Sequence, residues 1–182
     1  LGVGVVSYTE FVEIELAEPM EVEKAALALD AALPRGIRVL AADAVDTHHA
    51  ALMSQAAGAS YRITLPYSKD VSAAVAEFNA APELLFKKAA PKTKAKFKEI
   101  DVKFYIPQLT AEQTETETIF SFDCKITPTG SMKAVDLLNA LNEQYGLALP
   151  VEMADIERLR LYRNNKNGKP IPMLNSDAVT LG

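Results

Sequence analysis

The sequence predicts an α+β protein of tandem ferredoxin-like (split βαβ) units with antiparallel sheets, the first unit incomplete. Three observations predict it. Several stretches alternate apolar and polar residues with period two, and stretches of helical period lie between them. In the second half these collapse to strand–helix–strand, strand–helix–strand, the order of a split βαβ unit. The first half supplies a single strand–helix–strand, half of such a unit. A single larger α+β sandwich is the alternative. The expected division is residues 1–58 as the partial unit with its connector, 59–164 as the complete unit, and 165–182 as a flexible tail.

Phe11 to Leu16 alternates, with Val12, Ile14 and Leu16 on one face and Glu13 and Glu15 on the other, a strand with one wet face. Pro19 and the acids after it open a helix, because proline is tolerated in a first turn and acids favour that end. Val22, Ala25, Ala26, Leu29 and Leu33 recur at helical spacing until Pro34–Gly36 ends the run. Ile37, Val39 and Ala41 restart the alternation. Residues 43–59 lose it and read as a connector with room for a helical turn.

Tyr61, Ile63 and Leu65 then share a strand face. Asp70 is placed to cap a short helix carrying Val71, Val75 and Phe78, which stops near Asn79 before Pro82. After a brief apolar run, Leu84 to Phe86, the clearest strand has Ile100, Val102, Phe104 and Ile106 inward. The polar stretch TAEQTETET leads to a second strand with Phe120, Phe122, Cys124 and Ile126 on one face, so the two read as a long-looped hairpin. Thr127–Ser131 is a turn and helix start, and Val135, Leu138 and Leu141 or Asn142 continue a helix that Gly146 closes. In the last strand Leu159 and Leu161 point inward and alternate with Arg158, Arg160 and a following Arg163.

A chain of 182 residues buries about 70% of its unfolded surface and needs neither disulfide nor metal to hold a core. Its 49% apolar and 24% charged residues are globular averages, which excludes wholesale disorder. No apolar run approaches the roughly 20 residues that cross a bilayer, so no membrane is expected as a partner. Leu1 to Ser7 lacks the basic and long apolar segments of a secretory signal. With one cysteine, Cys124, no internal disulfide forms, and a reducing cytoplasm is the expected compartment.

The net charge of −5 is a sum over opposed blocks. Leu1 to Pro34 holds seven acids and one base, a local net of −6, whereas Lys87 to Lys103 holds seven lysines against Glu99 and Asp101, a net of +5. A strand extended back from Ile100 would bury Lys94, Lys96 and Lys98, which is untenable. The lysine segment is therefore an exposed loop, and its plainest use is to solvate a sheet edge against aggregation. The sharper expectation is a phosphate-contacting patch of Lys92, Lys94, Lys96 and Lys98 with Arg158, Arg160 and Arg163, and an acidic partner is a third use of the same charge. Lysine carries no base readout, and VKFYI lacks the glycine pattern of an RNA-recognition sheet, so contact with RNA would be mainly electrostatic.

His48 and His49, the only histidines, are adjacent and lack metal-ligand spacing, so they read as exposed loop residues. Cys124 falls in phase with Phe120 and Phe122, a buried thiol rather than a nucleophile. Gly130 and Ser131, before a helix, are the best candidate for an anion site at a helix start, although capping alone explains them. Glu13 and Glu15 lie on a wet strand face, where solvation is their ordinary role. The sequence has no Walker loop, dinucleotide fingerprint or iron–sulfur cysteine motif.

Four stretches, LGVGVVSYTEFVEIEL, LDAALPRGIRVLAADAV, KFKEIDVKFYIPQL and GSMKAVDLLNAL, together resemble the domain of unknown function linked to radical SAM proteins, from about Leu1 to Arg163. Members of that bacterial-type family follow, or are encoded beside, a radical SAM protein with a cobalamin-binding-like region, and some are tied to ribonuclease E/G-type proteins. They carry further residues upstream, including a Ser-His-Leu-Asp-type helix start and a Gly-Phe-Asn-Pro-type loop. Leu1 corresponds to a point after both, so the resemblance implies a chain that lacks the domain's N-terminal part. It implies a radical SAM protein as partner, with the iron–sulfur cluster and S-adenosylmethionine on that partner and no cofactor or catalytic residue in this chain. The leading expectation is a non-catalytic accessory domain assisting recognition of a substrate, with RNA as the candidate. A module docking on the radical SAM protein without touching RNA is the alternative, and an enzyme with an unrecognised site is the least favoured.

Overall fold

The structure, a computed structural model, describes residues 4–46, 48–89 and 96–181. In chain order it comprises β1 (Val5–Ser7), α1 (Val22–Ala32), β2 (Ala41–Ala42), α2 (Leu52–Gln55), β3 (Ala56–Leu65) and α3 (Ser72–Ala80). There follow β4 (Leu85–Ala89), β5 (Phe97–Asp101), α4 (Val102–Tyr105), β6 (Leu109–Gln113), β7 (Thr118–Thr127) and β8 (Gly130–Ser131). The chain closes with α5 (Ala134–Tyr145), β9 (Asp155–Asn164), β10 (Pro170–Pro172) and β11 (Val179–Thr180). Among the described residues this is an α+β fold with a mixed seven-stranded sheet, two two-stranded sheets and five helices. Contacts divide the chain into two compact units, Leu1–Glu10 with Ala56–Tyr162, and Phe11–Gln55 with Arg163–Gly182. Compared with the expected division, the first ten residues group with the second half. Residues 165–182, expected as a tail, carry β10 and β11.

In the first unit the strands lie in the order β1-β9-β3-β7-β6. Both β3 and β6 are antiparallel to β7, with Ile63 and Ala111 each opposite Phe120, so β3 and β6 run parallel with β7 inserted between them. One face of this sheet carries Ile63, Leu65, Phe120, Phe122 and Cys124, which form a core with Phe78 of α3 and Leu137, Leu138 and Leu141 of α5. Each large side chain fully buried there contributes about 1.5–3 kcal/mol. Short polar clips fix the helices on that face. The Asn79 side chain accepts from Leu109 N–H at 2.9 Å and donates to Leu109 O at 2.8 Å, and Asn142 does the same for Leu149 at 2.7 and 3.0 Å. Asp70 accepts from Ser72 N–H at 2.8 Å at the start of α3, and Gly146 ends α5 at φ 63° with its N–H on Asn142 O.

Several expected elements differ. The sheet is mixed rather than antiparallel because β1 lies parallel to β9, Val5 opposite Ile156; residues so distant in sequence can pair in either sense. Phe11–Leu16 alternates but forms no strand, and the strand of this region is β1, upstream. Val102–Tyr105 is a helical turn rather than a strand, because Asp101 caps it by accepting from Lys103 N–H at 2.9 Å. The partner of β7 in the hairpin is therefore β6, which starts at Leu109 and runs into the stretch read as a polar connector, and β5 pairs with β4 instead. Gly130 and Ser131 pair with the end of β7 as β8, three residues short of α5, so they do not open that helix.

The phase of β9 also shifts. Glu157 bonds Arg62 and Arg160 bonds Ser60, both partners on the face of β3 away from the core, whereas Ile156, Arg158 and Leu161 are buried. A strict alternation puts 157 and 160 on opposite faces, so one residue is extra near Leu159, as in a β-bulge. Arg158, expected outward, is turned inward.

The second unit contains α1, in which Ala26 is the buried residue, and a two-stranded pairing of β2 with β11, Ala41 opposite Thr180. The strand expected from Ile37 shrinks to Ala41–Ala42, because the chain before it is held by Asp30 at the end of α1. Its Oδ1 accepts from Arg38 Nε at 2.9 Å and from Val39 N–H at 2.8 Å, and these bonds hold the Asp30 carboxyl below the usual carboxylate range. β10 pairs with β9.

Candidate nucleic-acid interface

The lysine segment is carried on a two-stranded ribbon. β4 and β5 pair antiparallel over five residues each, Leu85 opposite Asp101 through Ala89 opposite Phe97. Its base is anchored by Phe86 and Ile100, which alternate into the core of the first unit. Lys88 lies on that same face of β4 and donates to Asp136 Oδ2 at 2.9 Å, in the first turn of α5. Asp136 Oδ2 also accepts from Lys133 N–H at 3.4 Å, so one buried carboxylate closes the helix start and holds the ribbon.

Beyond the anchor the ribbon is exposed. Lys87, Lys96 and Lys98 face solvent, and Phe97 between the last two is 60% exposed. Lys96 adopts φ 57°, a sharp local turn of the backbone where the chain re-enters β5. Lys92 and Lys94 lie outside the described residues. Asp101 lies at the base of this arm, where its carboxylate accepts from the N–H groups of Leu84, at 3.1 Å, and Lys103, and Glu99 stands opposite Lys87 across the ribbon. Lys103 turns back to Pro107 O at 2.5 Å and over the Phe78 ring at 4.6 Å, and burial holds its ammonium below the usual range.

The arginines of β9 are engaged by their own neighbours. Arg158 is 9% exposed and bonded to Glu10; its Nε and the nearby Thr9 Oγ1 have no partner among the described residues. Arg160 donates to Ser60 Oγ at 2.8 Å beside Asp123, on the sheet face opposite the one that Phe86 and Ile100 join. On the same outer face Glu157 accepts from Arg62 Nε and Tyr8 Oη, each at 2.6 Å, and those bonds hold the Glu157 carboxyl below its ordinary range. Arg163 belongs to the second unit, where it donates to Asn175 Oδ1 at 2.8 Å and Pro172 O at 3.1 Å. Arg62, Arg158 and Arg160 are thus each set against a carboxylate, whereas among the described residues no ion pair engages Lys87, Lys96 or Lys98. Sequence reasoning missed Asp136 and Phe97; an acid in the first turn of a helix was the available signal for the former.

Arg163, Asn175, His49, Leu52 and Gln55 help line a cleft of about 260 Å³ in the second unit. A groove of about 350 Å³ in the first unit lies beside Asp70, Glu77 and Tyr145. Among the described residues no group of three or more His, Cys, Asp or Glu side chains is placed to hold a metal ion, and no helix is long and apolar enough to cross a membrane.

The fold and its exposed arm define an α+β protein with a basic β-ribbon. Residues 1–137 match the family described as "Uncharacterized protein conserved in bacteria (DUF2344)", well over half of the chain, and the chain belongs to that family. The matched span includes the whole ribbon and the start of α5. No curated protein matches the chain.

Proposed function

We propose that the chain is a non-catalytic accessory domain that helps a radical SAM partner hold an RNA substrate in a reducing cytoplasm, with the iron–sulfur cluster and S-adenosylmethionine on the partner. The observation that carries this reading is the β4–β5 ribbon, which holds Lys87, Lys96, Lys98 and the ring of Phe97 exposed and is fastened by Lys88 to Asp136. Ammonium groups on a two-stranded arm contact phosphates, and an exposed aromatic ring on the same arm offers a base a stacking surface. A ferredoxin-like first unit is part of the same proposal. It is supported by the order β3-α3-β6-β7-α5-β9 and by the neighbour order β9-β3-β7-β6, with β4, β5 and α4 inserted between α3 and β6.

The test is a titration of the chain with structured RNA at increasing salt. Neutralising about four phosphates makes affinity fall by roughly 10²-fold between about 50 and about 200 mM monovalent salt. No binding at the low end overturns the RNA reading. A second reading, docking on the radical SAM protein without RNA contact, is favoured by the exposed apolar side chains of the second unit, Val12, Ile14, Met20 and Leu27 among them. Co-purification of the two proteins, weakened by charge reversal at the exposed Glu21 and Glu23 of the acidic first helix, tests it.

A further inference from the structure

Residues 11–16 are fastened to the second unit through one side chain, that of Glu13. Glu13 Oε1 accepts from Leu52 N–H at 2.9 Å and sits 2.6 Å from His49 Nε2, and His49 Nδ1 in turn lies 2.7 Å from Asp46 O. All of these residues belong to the second unit. With Glu13 pinned in this way, the alternation carries Val12, 72% exposed, Ile14, 54% exposed, and Leu16 into solvent. Among the described residues no backbone hydrogen bond joins residues 11–16 to another segment. This stretch of β-forming residues thus carries an unburied apolar stripe, and among the described residues its backbone groups are left for a partner.

We propose that residues 11–16 are a docking strand that adds to the sheet edge of a protein partner, an edge that is apolar on one face and carries lysine or arginine on the other. The proposal rests on the docking reading above and specifies its contact. Backbone pairing supplies affinity in such strand addition, and pockets for alternate side chains supply specificity. The Glu13 clip holds the middle of the stretch in place beforehand, which lowers the ordering cost of binding. Charge selects the occupant. The block from Leu1 to Pro34 has a net charge of −6, and Glu15 and Glu18 are exposed within and just beyond the strand. A second copy of the same strand sets glutamates against glutamates, an unfavourable cross-strand pair, whereas a basic edge is attracted and steered into register.

The test uses the full chain and two synthetic octapeptides, one alternating valine with lysine and one alternating valine with glutamate. Binding is read by calorimetry, and the contact by amide hydrogen exchange. The lysine peptide is expected to bind at least about tenfold more tightly than the glutamate peptide and to slow exchange of the amides of residues 11–16. Ile14→Lys and Val12→Lys, both at exposed positions, are each expected to weaken it about tenfold. Equal affinity for the two peptides, insensitivity to both substitutions, or protection that maps elsewhere overturns the proposal. Sedimentation that shows self-association abolished by Ile14→Lys also overturns it, in favour of a second copy. Co-purification with a radical SAM protein that responds to Glu21 and Glu23 reversal but not to Ile14→Lys leaves the docking reading standing and removes the strand from it.

Discussion

Lys88 Nζ and Asp136 Oδ2 lie 2.9 Å apart, joining the second residue from the end of β4 to the first turn of α5. Asp136 is largely buried, so its removal leaves the Lys88 ammonium without its acceptor and the Lys133 N–H without its cap. Asp136→Ala is expected to destabilise the chain by roughly 1.5–3 kcal/mol, the range for hydrogen bonds to charged groups. Urea denaturation followed by circular dichroism measures it. Lys88→Met, which keeps the aliphatic stem, is expected to cost less, because Asp136 then retains its place at the helix start.

The ribbon and the β9 arginines predict opposite outcomes for charge removal. Lys96→Gln and Lys98→Gln each take away a solvated ammonium and are expected to lower the magnitude of the RNA salt slope by about one unit each if both contact phosphate. Their stabilities are expected to stay within about 0.5 kcal/mol of the parent, as for other exposed positions. Arg160→Gln, whose guanidinium is engaged with Ser60 beside Asp123, is expected to leave the slope unchanged. Fluorescence anisotropy with one RNA at four salt concentrations separates the two sets.

The parts of the fold that were legible in sequence are those whose pattern has a single physical solution. β3, β7, α3 and α5 each bury one unbroken apolar stripe, and their periods lead directly to those elements. Val102 and Ile106 were misleading because a spacing of four fits both a strand face and a helix face; Phe104 between them decides, and it is 50% exposed. β6 was illegible because an edge strand with a single large apolar residue, Leu109, shows no alternation. Phe11–Leu16 has perfect alternation, yet period alone does not state that a face meets a core, and here residues 12–16 are all exposed with Glu13 alone fastened. Among the candidate site residues, the lysines were legible because nothing could bury them. Arg158 was not, since an extra residue in β9 cannot be seen in the sequence and turns its side chain to the inner face.

Cys124 is expected to be chemically silent in the folded chain. Burial beside Phe120 and Phe122 pushes its thiol up to about 11 from an ordinary 9.0, so almost no thiolate exists near neutrality. Alkylation by iodoacetamide at neutral pH is expected to proceed only in denaturant. The same shift sets an alkaline limit on stability. The unfolded chain loses this proton first, so the contribution is complete below about 9, declines above it and is lost by about 11, a change on the order of 3 kcal/mol. Cys124→Ala is expected to flatten that decline in a series of melts between those limits.

Gly58 of β3 lies under the ring of Tyr162 on the outer face of the sheet, and a Cβ built on Gly58 would collide with the phenol. The phenol group lies too close to accept even a methyl without moving, and Tyr162 is itself held next to the Arg160 guanidinium, 5.5 Å from its ring centre. Gly58→Ala is therefore expected to destabilise by about 1–3 kcal/mol, the cost of overpacking a fitted contact, although alanine suits a strand better than glycine does. Tyr162→Ala removes the obstacle at the expense of its own packing. In the double variant the alanine at 58 is expected to cost nothing or to stabilise by a few tenths of a kcal/mol, so the two changes are strongly non-additive. Chemical denaturation of the four proteins of this cycle reads the coupling directly. Simple additivity would show that the ring moves aside freely, and that Gly58 is not required by Tyr162.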